Sequence, residues 1–283
     1  MTNVLAAALI GLLSGIHVAS WGMYKDSPHE GFEIRKYLRS IVLGIGIGAA
    51  AGALLPLDAT TAAGCAILFG VVYVVERALG EIYKTFLRQE DQSKYTIPMQ
   101  FAVFGRTVKS RVLRAAMGGA YLGVMLATIA LVIAYQRWVN PAPSLLEVAL
   151  IASAGGWISA FGGAWKDAPI EGFQTLKFFR SPLLAAGWAL VLAQLTSNLV
   201  FVTLAATGYT IAATETYKSF FFPNKPRGKF ADKPVRFPGL LRLRHRVVPV
   251  YVAIWISVLV MLGLGLDRSS RSSTPAVVEV SHG

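Results

Sequence analysis

Eight apolar runs, each about long enough to cross the roughly 30 Å of hydrocarbon in a bilayer, dominate this 283-residue chain. They lie near Val4 to Gly22, Leu38 to Leu55, Thr60 to Leu79, Val112 to Tyr135, Leu145 to Ala164, Phe179 to Leu195, Asn198 to Phe220 and Val247 to Leu266; the second and sixth are short. Lipid offers backbone polar groups no partner, so such runs must be helical. Only 15% of the residues are charged, too few to coat a soluble protein of this length. The first run lacks a basic segment before it and a small-residue cleavage site after Trp21, Gly22 and Met23, and reads as a retained helix. The fold class expected is an all-α integral membrane protein with about eight transmembrane helices.

Basic residues are retained on the cytoplasmic side of membrane helices. The connections after runs one, three, five and seven, with the adjoining helix ends, hold 24 of the 27 Lys and Arg, and the other side holds only Arg137, Arg268 and Arg271. This skew puts both termini outside and the long basic connections in the cytoplasm of a plasma (inner) membrane. The formal charge of +12 is then a topology signal, and nucleic acid drops out as a partner because no recognition module accompanies it. The single cysteine, Cys65, and the four histidines exclude internal disulfides and any clustered thiolate site.

The chain repeats itself. Lys25-Asp26-Ser27-Pro28-His29-Glu30-Gly31-Phe32 returns 141 residues later as Lys166-Asp167-Ala168-Pro169-Ile170-Glu171-Gly172-Phe173, with Lys36, Arg39 and Ser40 matched by Lys177, Arg180 and Ser181. Nine of sixteen positions are identical, where average residue usage gives about one. Glu81, Tyr83, Lys84 and Phe86 likewise match Glu215, Tyr217, Lys218 and Phe220. An even number of spans per copy makes the copies parallel repeats about an axis along the membrane normal. The expected organisation is a first four-helix repeat over 1–140, a second over 141–266, and a loose external tail over 267–283. Gly44, Gly48 and Gly52 recur every fourth residue, as do their counterparts Ala185, Ala189 and Ala193, and Gly11 and Gly15 correspond to Ala152 and Gly156. Small residues so spaced let helix backbones touch.

The duplicated charged motif sits where runs one and five leave the membrane. A capping box at the start of the following helix explains Ser27, Pro28 and Glu30. It does not explain Lys-Asp, and the second copy has Ala168 in place of the capping serine. The candidate ligand-binding set is therefore Lys25, Asp26, Glu30, Arg39, Lys166, Asp167, Glu171, Arg180, Glu76, Glu81, Glu215 and Lys218, whose cations suit a phosphate or carboxylate group at the inner interface. Glu81 and Glu215 are i,i+3 neighbours of Lys84 and Lys218, an ordinary helix-surface pairing, or they reach Lys25 and Lys166 and complete one polar cluster. Glu76 lies deeper, where an unpaired carboxylate is costly; Arg77 points elsewhere on the helix, which leaves Lys25 or Arg114 as partner. Thr203, Thr207, Thr210 and Thr214 share one helix face, either packing or lining a ligand path. His17, between Ser14 and Ser20, has Ile158 as its counterpart and reads as a hydrogen-bonded packing residue. The basic stretches Phe101 to Arg114 and Val235 to Arg246 read as segments lying on an anionic leaflet, the second broken by Pro238 and Gly239.

No Walker A, dinucleotide, nucleophile-elbow, zinc-protease or haem-ligand pattern occurs. No cofactor, metal or catalytic residue is expected. The functional reading is a transporter, channel or lipid-handling protein that recognises an anionic, phosphate-bearing ligand. The alternatives are a membrane-embedded enzyme acting on a lipid phosphate and a structural or assembly subunit. The expected partners are membrane lipids and an anionic leaflet, with a second copy of the chain or another membrane subunit left open.

Overall fold

A computed structural model describes residues 2–97, 99–104, 106–138, 143–223 and 230–273, with the side chains of Lys94, Asp167, Ile170, Glu171 and 271–273 excepted. The helices are α1 (Asn3–Glu30), α2 (Ile34–Leu54), α3 (Ala62–Ile82), α4 (Arg111–Trp138), α5 (Leu145–Ala152), α6 (Ala154–Glu171), α7 (Thr175–Leu192), α8 (Leu199–Phe220), α9 (Pro238–Leu243) and α10 (Val248–Ser273). Among the described residues the one sheet is a two-residue antiparallel ribbon, β1 (Ala102–Val103) with β2 (Arg106–Thr107). Every one of the eight apolar runs is helical. Seven helical segments are long and apolar enough to span a membrane; α7, which carries Lys177 and Arg180 in its first turns, is the run left outside that set. The fifth run is bent rather than straight: Ser153 separates α5 from α6 and turns its hydroxyl back to the carbonyl of Leu150. Where a loose tail was expected from Asp267 onward, α10 continues to Ser273; 274–283 lie outside the described residues.

Helix ends follow side-chain chemistry. Thr61 accepts from Gly64 N, Asn198 from Val200 N and Phe201 N, and Ser144 forms a reciprocal box with Glu147, each satisfying amides that lack an intrahelical partner. α1 and α6 both end on glycines in the left-handed region, Gly31 at φ 83° and Gly172 at φ 78°, where a side chain would be strained. At the opposite end Asn3 closes the α2–α3 turn, donating to Gly52 O and Leu57 O and accepting from Ala59 N.

α1, α3 and α8 form the buried centre. α3 and α8 touch backbone to backbone, Gly70 against Ala205 and Gly208 against Gly70, among Phe69, Tyr73 and Tyr209. α1 and α2 interlock through the predicted glycines: a methyl on Gly11 would overlap the carbonyl of Gly44, one on Gly48 the carbonyl of Ala7, and one on Gly15 the Ser40 carbonyl. On the rim, Leu122, Val124, Leu126 and Leu131 of α4 and Val252, Ile256, Leu259 and Val260 of α10 are exposed. In water such surface costs about 25 cal/mol per Å²; against lipid chains it costs nothing. The chain is a predominantly helical membrane protein.

The α1–α2 contact leaves no room for one carbon. Gly44→Ala is expected to cost about 1–3 kcal/mol and to lower the thermal midpoint in detergent, whereas Gly46→Ala, with nothing within 4 Å of the added carbon, leaves it unchanged.

Candidate functional site

The C-terminal ends of α1, α3, α6 and α8 gather charge at one end of the bundle. Lys25 of α1 donates to Glu215 of α8 at 2.7 Å, and Lys166 of α6 donates to Glu81 of α3 at 2.8 Å. Each lysine of the duplicated motif therefore meets the glutamate of the other sequence copy. Lys218 stands 3.6 Å from Glu215, and Arg77 donates to Glu81 as well. Lys25 Nζ and the Arg77 guanidinium both lie over the Trp21 ring, at 4.5 and 5.1 Å from its centroid, close enough for attraction to the ring face. Trp21 Nε1 donates to Tyr73 OH at 2.7 Å, and Tyr73 OH lies 3.1 Å from His17 Nδ1. The polar chain thus climbs along α1 at steps of four residues, Lys25 to Trp21 to His17. His17 is fully buried, stacked on Tyr251 at 4.0 Å, and edge-on to Trp255. It packs among rings, as a histidine bonded through one nitrogen can.

The motif itself is not a helix start. Ser27, Pro28 and Glu30 form the last turn of α1, and α2 begins at Ile34 after Glu33, which makes no side-chain cap; the capping-box expectation is overturned, and Pro169 lies inside α6 in the same way. The reason is the glycine: Gly31 ends the helix from its C-terminal side, so the proline falls before the stop. A proline inside a helix leaves the carbonyl four residues earlier without its amide. Arg244 fills that role, donating Nη1 to Tyr24 O and Nη2 to Pro223 O while its guanidinium lies over the Tyr24 ring. Both basic connections then dock on the same turn. Arg236 N and Phe237 N donate to Pro28 O, His29 Nδ1 bonds Pro234 O and stacks on Phe230, and Thr96 donates to His29 O.

Within the basic stretches Phe101 to Arg114 and Val235 to Arg246, Phe101, Arg114 and Arg244 are buried and most of the other described residues are exposed; Phe101 stacks on Trp165, and Pro238, expected to break the second stretch, opens α9. One further expectation changes. Glu76 is 1% exposed, and the cation near it is its own neighbour: Arg77 Nη1 is 4.0 Å away, while Lys25 is held by Glu215 and Arg114 by Val108 O. Glu81 pairs with Arg77 of its own helix and with Lys166 of α6, the second of the two arrangements expected for it. The four threonines of α8 are buried; Thr207 donates to Thr203 O and packs against Gly155.

Beside this charge cluster lies a cleft of about 130 Å³ between α1, α2 and the chain following α3, comparable with the roughly 150 Å³ that admits a benzene ring. Its lining along α1 includes Val18, Ala19, Trp21, Gly22 and Met23; Lys36, Arg39, Arg77, Lys84 and Arg88 line it as well, together with Asp26, Glu30, Glu33 and Glu90. Of the candidate residues, Asp26, Glu30 and Arg39 line it. Lys25, Lys166, Glu76, Glu81, Glu215 and Lys218 do not, and Arg180 is half-buried on α7. The side chains of Asp167 and Glu171 lie outside the described residues. Arg88 and Tyr95 were not legible as site residues. A π-helical turn over Tyr83–Leu87 ends in the bond from Arg88 N to Tyr83 O, and this widened turn, of a kind common at functional sites, sets Arg88 at the cleft. Arg88 Nη1 donates to Tyr95 OH at 2.9 Å, and Tyr95 OH donates to Glu90 at 2.6 Å. Outside the membrane-spanning segments, burial pushes the Tyr95 phenol above its usual range, and its bond to Glu90 acts in the same direction. The hydroxyl therefore stays protonated at neutral pH. Among the described residues no three of His, Cys, Asp or Glu converge as a metal would need.

Fold and site together define a polytopic helical membrane protein with a mixed-charge, amphipathic cleft at one end. Set against known protein families, curated proteins and solved structures, the chain matches none.

The reciprocal pairs carry a clear expectation. Removing one partner strands the other at a half-buried site, so Lys25→Ala is expected to cost about 3 kcal/mol, read as a lower thermal midpoint. The exchange Lys25→Glu with Glu215→Lys should restore most of it, which a double-mutant cycle measures directly.

Proposed function

We propose that this protein is a membrane carrier or lipid-handling protein that takes the anionic head of a phosphate-bearing amphiphile at the cytoplasmic interface. The observation that carries this reading is the cleft. Its lining brings cations from α2, α3 and the chain beyond together with apolar and aromatic residues of α1. Val18 to Glu30 is twelve helical steps, about 18 Å at 1.5 Å each, which suits a charged head at one end and hydrocarbon at the other. The charged end is cytoplasmic in this reading because it gathers the basic residues. The chain is two parallel four-helix copies, and Lys25 and Lys166, spent on Glu215 and Glu81, hold the copies together. Ligand contact then falls to Lys36 and Arg39.

Native mass spectrometry of the purified chain tests the reading. The wild type retains a phosphate-bearing lipid, and Lys36→Ala with Arg39→Ala lowers the bound fraction about tenfold, the equivalent of 1.4 kcal/mol; an unchanged lipid complement defeats it. Sidedness has its own test. In a Cys65→Ser background, a cysteine replacing Asp58 should react with an impermeant maleimide added to intact cells, and one replacing Asp232 only after lysis.

A further inference from the structure

Arg88 is 6% exposed, lines the cleft, and has two guanidinium nitrogens, Nε and Nη2, that are buried and find no hydrogen-bond partner in the protein. Leaving two charged donors unmet is costly, and the third nitrogen shows that the side chain is not loosely placed. Nη1 is bonded to Tyr95 OH, and the guanidinium lies 4.2 Å over the Tyr95 ring. Nε and Nη2 form one edge of the guanidinium, the fork that accepts two oxygens of a phosphate or carboxylate side by side. Of the four carboxylates that line the cleft, Glu90 receives the Tyr95 hydroxyl and Glu33 receives Lys36, while Asp26 and Glu30 have contacts of their own. Lys36 Nζ also lies 3.4 Å from Tyr95 OH, so the cations on this side of the cleft are organised around a single ring.

We infer that Arg88 is the anion receptor of the cleft, taking a phosphate group bidentately on its Nε–Nη2 edge, with Tyr95 as the residue that positions it. This rests on the cleft reading above and adds to it the ligand group and the side chain that holds it. The phosphate comes from a lipid head group or from a free phosphate, and the two sources are separable.

Calorimetric titration of the full chain in neutral detergent decides, with dihexanoyl phosphatidic acid and inorganic phosphate as probes. Arg88→Lys keeps the charge and loses the fork, and is expected to weaken binding at least about tenfold, while Arg242→Lys on the exposed face of α9 changes nothing. Tyr95→Phe keeps ring and guanidinium but removes the acceptor for Nη1; it is expected to weaken binding by a smaller factor, and it carries the test should Arg88→Lys show no folded transition. Binding of phosphatidic acid alone assigns the site to a lipid; binding of both probes, lost together in the variants, assigns it to phosphate from either source. Equal affinity in the wild type and in the variants overturns the role of Arg88, leaving the cleft reading to stand on the Lys36 and Arg39 result. If neither probe binds the wild type, both readings fall.

Discussion

A charge near the end of a membrane helix must be met by an opposite charge, because neither lipid nor a dry helix interface will solvate it. That constraint organises the charged end of this protein. Lys25 and Lys166 sit on helices α1 and α6, and each finds its carboxylate on a helix from the other sequence copy. Had each lysine paired within its own copy, no charge would join the two stretches. The crossed pairing makes the charge requirement of each stretch a reason for the other to stay. Trp21 extends the cluster inward by offering its ring face to two cations and its indole N–H to Tyr73, so that polarity fades along α1 in steps instead of ending at a wall.

The other organising contact is apolar. Glycines on α1 and α2 put the two backbones in touch, and the Gly70–Gly208 contact does the same for α3 and α8. Association of helices in lipid has no hydrophobic drive and depends on close fit. The tightly joined α1–α2 pair forms two walls of the cleft, and the chain beyond α3, led by the wide turn at Tyr83–Leu87, forms the third. Precision at the cleft is thus inherited from residues that have no side chain to contribute.

The fold was largely legible from sequence because each of its determinants is local. Hydropathy marks every long helix, and the spacing of Gly44, Gly48 and Gly52 marks the packed face. The crossed pairs were half legible: the two copies of Lys-Asp and of Glu-x-Tyr-Lys named the participants, and only the fold says which lysine meets which glutamate. Three features escaped. Proline at the first position of a helix and proline just before a glycine stop look alike in sequence, so Pro28 was placed on the wrong helix. Arg77 was judged by its angle to Glu76, although a long side chain can reach both Glu76 and Glu81. Arg88 depends on one extra residue in a turn, a deviation from the helical period that composition does not signal.

The last turn of α1 has a consequence for the order in which the molecule is made. Its carbonyls are completed by residues from later connections: His29 O by Thr96 after α3, Pro28 O by Arg236 and Phe237 just before α9, and Tyr24 O by Arg244 just after it, 220 positions along the chain. During synthesis the first helix enters the membrane long before the last of those residues exist. Until the chain on either side of α9 is made, the carbonyls of Tyr24 and Pro28 have only water to bond. The first helix of the protein is therefore finished by one of its last loops, and its charged end closes only once nearly the whole chain is present.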